Sequence, residues 1–559
     1  MSGAPTNARL LGQILKAAGK VGEAEIQRAL ADQRKHGGLI GQCLVALQAC
    51  TDGDVARALA EQAGLPSVDL DRVEPMAEAL ELIDASVAHT FLVLPLRLSA
   101  KGLEVALADP LNQAILDDLA FTTGKSILPM VAGAEAIRAR VVQHYGEPGD
   151  LSDAIADAAG AVQGADAESA AKSKPVVRLL NSILGRAIRD RASDVHFEVY
   201  DDAFRIRYRV DGALYEIEAP PQHLAVPLVA RIKVMADLDI TETRVPQDGR
   251  IELSIDGLPV DLRVATLPTQ TGEGCVMRVL DRSAVSLDLG VLGLSPAEEA
   301  TLRALTRLPH GIVLVTGPTG SGKTTTLYAM LTEANDPAVK IITVEDPVEY
   351  DIDGIVQVPI QEEIGVTYAS VLRTILRQDP DKILVGEIRD EETASTAVEA
   401  SLTGHTVFAT LHTSDAPSTV TRLMDMGVEP FLITATLEAV VAQRLVRTVC
   451  SQCQRTYEPD EELLASLGAV AEHVRGRVLH FGAGCEVCHH TGYKGRMGIF
   501  EILLFSDELR TAVHRGASTG ELRAIAVRQG MRSLRQAGLE AVLAGRTTLE
   551  EVLRETQSL

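Results

Sequence analysis

The eight residues Gly317-Pro-Thr-Gly-Ser-Gly-Lys-Thr324 follow the apolar run Gly311-Ile-Val-Leu-Val-Thr316 and precede a helical pattern from Thr324 through Met330. A strand, a glycine loop and a helix in that order commit this part of the chain to an α/β fold. The glycines let successive backbone N–H groups turn toward one point, and the helix presents its positive end there, so the segment reads as a phosphate-binding loop. Gly317, Pro318, Thr319, Gly320, Ser321, Gly322, Lys323, Thr324 and Thr325 are the candidate nucleotide contacts. Lys323 has the reach for the outer phosphates, and the Thr324 hydroxyl is a candidate Mg²⁺ ligand. The competing reading, a glycine-rich turn ahead of a core helix, does not account for the full pattern in this setting.

At 559 residues the chain exceeds what one core supports, and ordinary domain sizes predict about three to five domains. Lys and Arg number 53 against 77 Asp and Glu, a net charge of −24 that opposes attraction to nucleic acid or anionic lipid. Protein partners are the expectation. Aromatics are 3% of the chain and Trp is absent, which leaves few stacking platforms for single-stranded nucleic acid and weighs against a helicase. No apolar run approaches the roughly 20 residues that span a bilayer, and Met1 to Leu11 lacks a secretory-signal pattern, so the expected location is cytoplasmic.

The first 65 residues repeat with an offset of 29: Leu11-Gly12-Gln13 matches Ile40-Gly41-Gln42, Leu15 matches Leu44, and Arg28-Ala29-Leu30-Ala31 matches Arg57-Ala58-Leu59-Ala60. This is a duplicated helical unit. From about Pro66 to Gly146, runs such as Phe91-Leu-Val-Leu-Pro95 and Leu103-Glu-Val-Ala-Leu-Ala108 alternate with helical stretches, which predicts a small α/β unit. Residues Glu147 to Pro175 are rich in Ala, Gly, Asp and Ser and read as a flexible acidic linker, with a transient helix over Ser152 to Ala159. Beyond it, Phe204-Arg-Ile-Arg-Tyr-Arg-Val210 alternates basic with apolar positions, a strand with one wet and one packed face. Arg263 and Arg278 interrupt the apolar runs Val260 to Ala265 and Cys275 to Leu280, where they either face solvent or meet an anion.

Three further strands carry polar groups to one edge: Lys340 to Val344 ends in Glu345 and Asp346, Lys382 to Val385 leads to Gly386-Glu387-Ile388-Arg389, and Val407 to Leu411 ends at His412. Phosphoryl transfer to water needs a metal, a group to hold it, a carboxylate to orient the water and cations for the developing charge. Each has a candidate at this edge.

These residues resemble a known family, the secretion ATPases of type II secretion and type IV pilus assembly. The resemblance runs from about Pro175 to the C-terminus and rests on four segments besides the phosphate loop. They are Ile342-Thr-Val-Glu-Asp-Pro-Val-Glu-Tyr350, Leu376-Arg-Gln-Asp-Pro-Asp381 with Gly386-Glu-Ile-Arg-Asp390, Thr403-Gly-His-Thr406, and Thr410-Leu-His-Thr413. The resemblance implies that Glu387 helps hold Mg²⁺ and its waters, that Glu345 polarises the attacking water, and that Arg377 and Arg389 contact phosphates or a neighbouring subunit. Arg263 and Arg278 would reach ATP as arginine fingers from the preceding domain. His405 and His412 read as structural hydrogen-bond donors, for which the family suggests phosphate sensing or subunit coupling. Asp194 and His196 match a family signature and read as structural.

Cys450-x-x-Cys453 and Cys485-x-x-Cys488, 31 residues apart, suit one tetrahedral thiolate site closing a long loop, and zinc is the expected ion. Four protein ligands leave no open position, so the role would be structural. Cys43, Cys50 and Cys275 read as ordinary buried thiols. The resemblance supports the site in assembly-type members and argues against a pilus-retraction ATPase.

The expected architecture is multidomain α/β: a duplicated helical module over 1–65, a small α/β subdomain over 66–146 and a linker over 147–175. A PAS-like α/β domain over 176–290 supplies the arginine fingers, followed by a RecA-like P-loop ATPase core over 291–445, a zinc insertion over 446–497 and a helical domain over 498–559. The expected activity is hydrolysis of ATP with Mg²⁺ by a homohexamer recruited to the inner membrane through secretion or pilus platform proteins. The leading system is type II secretion and the alternative is pilus extension, with a nucleic-acid motor and a nucleotide-sensing adaptor as rivals. The duplicated module resembles one that binds cyclic di-GMP through paired Arg-Leu-Gly motifs in some relatives. Here Leu10 and Leu39 stand where each motif arginine belongs, so a docking surface is the preferred reading.

Overall fold

The computed structural model describes residues 10–36, 38–110, 113–146, 151–161, 167–255, 258–281, 287–467 and 470–556. The chain divides into two compact units, Met1–Val285 and Ser286–Leu559.

In the first unit the duplication is visible as two helix pairs, Leu11–Ala17 with Glu23–His36 and Ile40–Ala46 with Asp52–Ala63. They share a core of Ile14, Leu15, Ile26, Cys43 and Leu44. The glycine fixed in the second copy has a packing reason, since a Cβ on Gly41 would lie 2.8 Å from Val55 Cγ1. A three-stranded sheet follows, built from Val93–Ser99, Gly102–Leu107 and Ile127–Val131. The run expected to begin a strand at Phe91 is helical through that residue, and the strand starts at Val93.

The stretch expected to be a flexible linker differs in part. Residues Leu151–Ala161 form a helix whose Leu151, Ala154, Ile155 and Ala158 are buried in the unit's main core, and Ala167–Ala171 is also helical. The spacing i, i+3, i+4, i+7 of those four residues is an apolar stripe, which outweighs the acidic composition around it. Helix Lys174–Arg189 and helix Ala225–Met235 bury apolar residues in the same core as a six-stranded antiparallel sheet. Its strand order is Ala213–Glu216, Phe204–Val210, Asp194–Val199, Gly272–Asp281, Leu258–Thr269 and Gln247–Ile255. The Tyr208 hydroxyl donates to the Ile183 carbonyl at 2.6 Å, tying the packed face of the sheet to the first of these helices.

The second unit is organised on a seven-stranded sheet in the order Val356–Pro359, Ile341–Glu345, Lys382–Val385, Thr406–Leu411, Gly311–Thr316, Leu437–Val449 and Tyr493–Leu504. The first six run parallel, and the last is an antiparallel edge strand. Every residue of Gly311–Thr316 is buried, with Ile312 and Leu314 in one core and Val313 and Val315 in the other. Cover on both faces is why the run reads as continuously apolar rather than alternating. The sheet extends past residue 445, because Leu437–Val449 pairs along its length with Tyr493–Leu504, and the cysteine segment lies between these strands. Four helices from Asp507–His514 to Leu549–Glu555 end the chain. The buried Glu501 carboxylate accepts from the first amides of two helices, Ala416 N at 2.8 Å and Leu534 N at 3.3 Å. A negative group suits both positive helix ends.

Candidate functional site

The phosphate loop leaves strand Gly311–Thr316 and enters helix Lys323–Ala334. A Cβ on Gly317 would meet Gln443 O and Ser321 Oγ, each at 2.6 Å, so only glycine fits there. Gly320 and Gly322 have φ of 77° and 87°. No side chain caps the helix, which leaves its first amides to an outside acceptor. Pro318, Thr319, Gly320 and Thr324 are exposed, Thr325 is half-buried, and the buried Ser321 Oγ has no partner among the described residues. A cradle that a Cβ would fill and free amides at a helix start fit the phosphates of a nucleotide, with Thr324 at the position of a Mg²⁺ ligand.

Lys323 Nζ rests on its own loop, donating to the Gly317 carbonyl at 2.9 Å and the Pro318 carbonyl at 3.1 Å. Burial pushes its ammonium below the ordinary lysine range, with Glu387 opposing and Arg444 adding to the shift. Glu387 pairs with Arg389 and lies 3.5 Å from His412 Nε2. Burial and then the Lys323 charge hold His412 below the ordinary histidine range, so near pH 7 it meets Glu387 as a neutral imidazole. Lys323, Glu387, Arg389 and His412 therefore act on one another, although they come from three separate segments.

Glu345 has a different setting. It is 4% exposed, and both carboxylate oxygens are engaged: Oε2 accepts from the Tyr328 hydroxyl, and Oε1 accepts from the Thr343 hydroxyl and from Gln357 Nε2. Burial and then the Glu345 charge push the Tyr328 phenol up, which keeps it a donor. Arg377 donates to the Arg373 carbonyl at 2.9 Å on its own helical turn. His405 Nδ1 lies 2.8 Å from the Ala400 carbonyl, a structural contact of the kind expected. Arg263 and Arg278 belong to the first unit, on adjacent strands of its six-stranded sheet.

Sequence reading missed Tyr328, Gln357, Gln443 and Arg444. Gln443 Nε2 donates to the Ser321 carbonyl at 2.7 Å, and Arg444 donates to the Gln443 and Ser414 carbonyls. Both sit on strand Leu437–Val449, neighbour to the strand that delivers the loop. Nothing in their local sequence marks them, because the contact is made by strand order.

The four cysteines come together as expected. All four Sγ atoms lie within 4.8 Å of one another, with Cys450–Cys485 at 3.9 Å, Cys453–Cys488 at 3.8 Å and Cys485–Cys488 at 3.7 Å. Tetrahedral zinc with Zn–S bonds of about 2.3 Å has S···S edges of about 3.8 Å. Backbone N–H groups of Cys485 and Gly492 donate to Cys488 Sγ, which favours a thiolate. The donor set fits zinc.

The family model for type II/IV secretion system proteins matches residues 169–554, and that of the MshEN domain matches residues 63–151. The chain is 42% identical over 557 residues, 98% of each protein, to the type IV pilus assembly ATPase PilB of Myxococcus xanthus. It is 51% identical over 383 residues, 68% of this chain and 76% of the relative, to type II secretion system protein E of Pseudomonas aeruginosa. Among solved structures, the Legionella pneumophila ATPase DotB shares the fold at TM-score 0.50 and 22% identity, over 67% of this chain and 94% of that one. The chain belongs to the type II/IV secretion system protein family and is an ATP hydrolase of the secretion and pilus-assembly type.

Proposed function

We propose that this ATPase works as a cytoplasmic homohexamer, recruited to the inner membrane through platform proteins, that drives pseudopilus assembly and protein export in a type II secretion system. The observation that carries the reading is the 51% identity to a type II secretion protein E over 383 residues, 68% of this chain. Pilus extension is the second reading, favoured by the alignment with a pilus assembly ATPase over 98% of both chains. No helix among the described residues is long and apolar enough to cross a membrane, which fits recruitment through a partner. The N-terminal helix pairs are the proposed docking module, and the absent motif arginines weigh against cyclic di-GMP there.

Within the motor, the loop amides and Lys323 bind the phosphates of ATP, Lys323 exchanging the Gly317 and Pro318 carbonyls for phosphate oxygens. Thr324 and Glu387 would hold Mg²⁺, which when bound offsets phosphate charge. Glu387 is supported in this role by its place just past strand Lys382–Val385, in the sheet that delivers the phosphate loop. Glu345 orients the attacking water once one of its three donors turns away. Arg389 and His412 keep Glu387 in place, and Arg377 contacts phosphate or a neighbouring subunit. Arg263 and Arg278 stabilise transition-state charge when domains meet, which couples hydrolysis to motion.

The test is a chromosomal Lys323→Ala strain assayed for secreted proteins and for surface pili. Lost secretion with intact pili supports the type II reading, lost pili with intact secretion supports pilus extension, and neither loss refutes both.

A further inference from the structure

One line across five neighbouring strands of the six-stranded sheet concentrates charge. The register pairs Arg250 with Arg263, Arg263 with Arg278, Arg278 with Asp194, and Asp194 with Arg209, which sets four arginines and one aspartate on one face. The flanking residues Val195, Tyr208, Leu262 and Met277, which point to the opposite face, are fully buried. Like charges directly opposite on a sheet repel, so three adjacent arginines are unfavourable until anions meet them. Arg250 has Asp261 and Glu252, each at 3.1 Å from its Nη2.

Asp194 serves the other end of the row. It is 8% exposed, Oδ1 accepts from Arg278 Nε at 3.2 Å, Oδ2 lies 3.6 Å from Arg209 Nε, and Oδ2 accepts from the Ser193 hydroxyl at 2.8 Å. The carboxylate is thus fixed from three directions. Its bond to Nε leaves Nη1 and Nη2 of Arg278 without a partner among the described residues, on a side chain 60% exposed. Those two nitrogens are the fork that grips a phosphate bidentately.

We propose that Asp194 is a positioning residue, holding Arg278 by Nε so that its two Nη groups stay aimed for a phosphate. This rests on the reading of Arg278 as an arginine that reaches ATP. A carboxylate that merely completed the sheet would influence stability and leave turnover alone. A carboxylate that aims Arg278 affects kcat, and only while Arg278 is present.

The experiment compares Mg²⁺-ATP turnover of the full-length assembled enzyme with that of Arg278→Ala, Asp194→Ala, Asp194→Asn and the Asp194→Ala/Arg278→Ala double variant. Asp194→Ala is expected to lower kcat on the order of tenfold to a hundredfold, as misplacement of a catalytic group does, with a smaller change in KM. Asp194→Asn keeps an oxygen for the Nε–H and should recover most of that loss, and it serves as the informative variant should Asp194→Ala fail to fold. The double variant should be no slower than Arg278→Ala. Losses that multiply in the double variant, or full turnover in Asp194→Ala beside a slow Arg278→Ala, overturn the positioning role alone. Full turnover in Arg278→Ala overturns the arginine-finger reading and the positioning role with it.

Discussion

Tyr328→Phe isolates what holds Glu345 in the sheet. The change keeps the ring in its place and removes one oxygen, which donates to the Glu345 carboxylate and receives Glu349 N at 3.4 Å and Gln357 Nε2 at 3.3 Å. The tyrosine is fully buried, so water cannot replace the lost donor. A hydrogen bond to a charged group contributes about 1.5–3 kcal/mol net, and the two long contacts add little. The carboxylate keeps Thr343 and Gln357 as donors, which limits the damage to the lower part of that range. A loss of about 2 kcal/mol in a unit of this size lowers its melting temperature by roughly 4–8 °C. Thermal unfolding reads the total, and hydrogen exchange along Ile341–Glu345 locates it. A shift below about 1 °C with unchanged exchange in that strand would refute the claim that the phenol holds the carboxylate.

Arg263→Ala should leave the melting of the chain near that of the parent and lower turnover of the full-length enzyme; unchanged turnover returns it to a plain strand residue. Chelation of the metal should expose mainly the segment between the two sheet strands, residues 450 to 492, to hydrogen exchange, since four thiolates without a cation repel and the segment's metal-binding energy is lost. Persistent protection there sinks the zinc assignment. Burial raises the Glu501 carboxyl above its ordinary 4.5, against the two helix amides it accepts from. The folded state then binds this proton more tightly than the unfolded chain. The contribution is complete below pH 4.5 and is lost as pH rises through the folded value. Urea midpoints of Glu501→Gln should fall less steeply with pH over that window, and parallel curves would contradict the shift.

The parts of the site legible in sequence were those whose chemistry is local. The phosphate loop, the strand ends at Glu345, Glu387 and His412, and the two Cys-x-x-Cys pairs each announce themselves within a few residues, because backbone turn, strand terminus and ligand spacing are short-range requirements. Gln443 was invisible because it reaches the loop only through the pairing of Leu437–Val449 with Gly311–Thr316, and Arg444 beside it holds the Gln443 and Ser414 carbonyls. Tyr328 lies on the loop helix with nothing beside it in sequence to mark it, and its hydroxyl acquires meaning only when the parallel strands bring Glu345 alongside. The helix expected as transient over Ser152 to Ala159 is a packed helix, Leu151–Ala161, since alanines and a single Ile–Leu pair supply a stripe that counts only once a core is there to receive it. Asp194 was the opposite case: a residue noticed in sequence whose partners, Arg278 and Arg209, are set by strand register across 84 positions of chain for Arg278.

The cations of the two units share a condition. Lys323 lies on the Gly317 and Pro318 carbonyls, Arg444 on the Gln443 and Ser414 carbonyls, Arg389 on Glu387, and Arg278 on Asp194. In the proposed mechanism, phosphate binding at Lys323 is therefore an exchange of acceptors, whereas the uncapped amides of the loop helix and the two Nη groups of Arg278 are donors that no described residue engages. The exchange favours the ligand most where the resting acceptor is a neutral carbonyl, as for Lys323, because a half-buried ammonium gains more from an anion than from a dipole. It favours the ligand least where the resting partner is a carboxylate that the protein itself needs in place. Lys323 can leave its carbonyls, whereas Arg278, on the proposed reading, would reach a phosphate by the two nitrogens that Asp194 does not occupy. If the proposal holds, the loop takes its ligand by exchange at Lys323, and the arginine row takes its own through nitrogens that Asp194 leaves open.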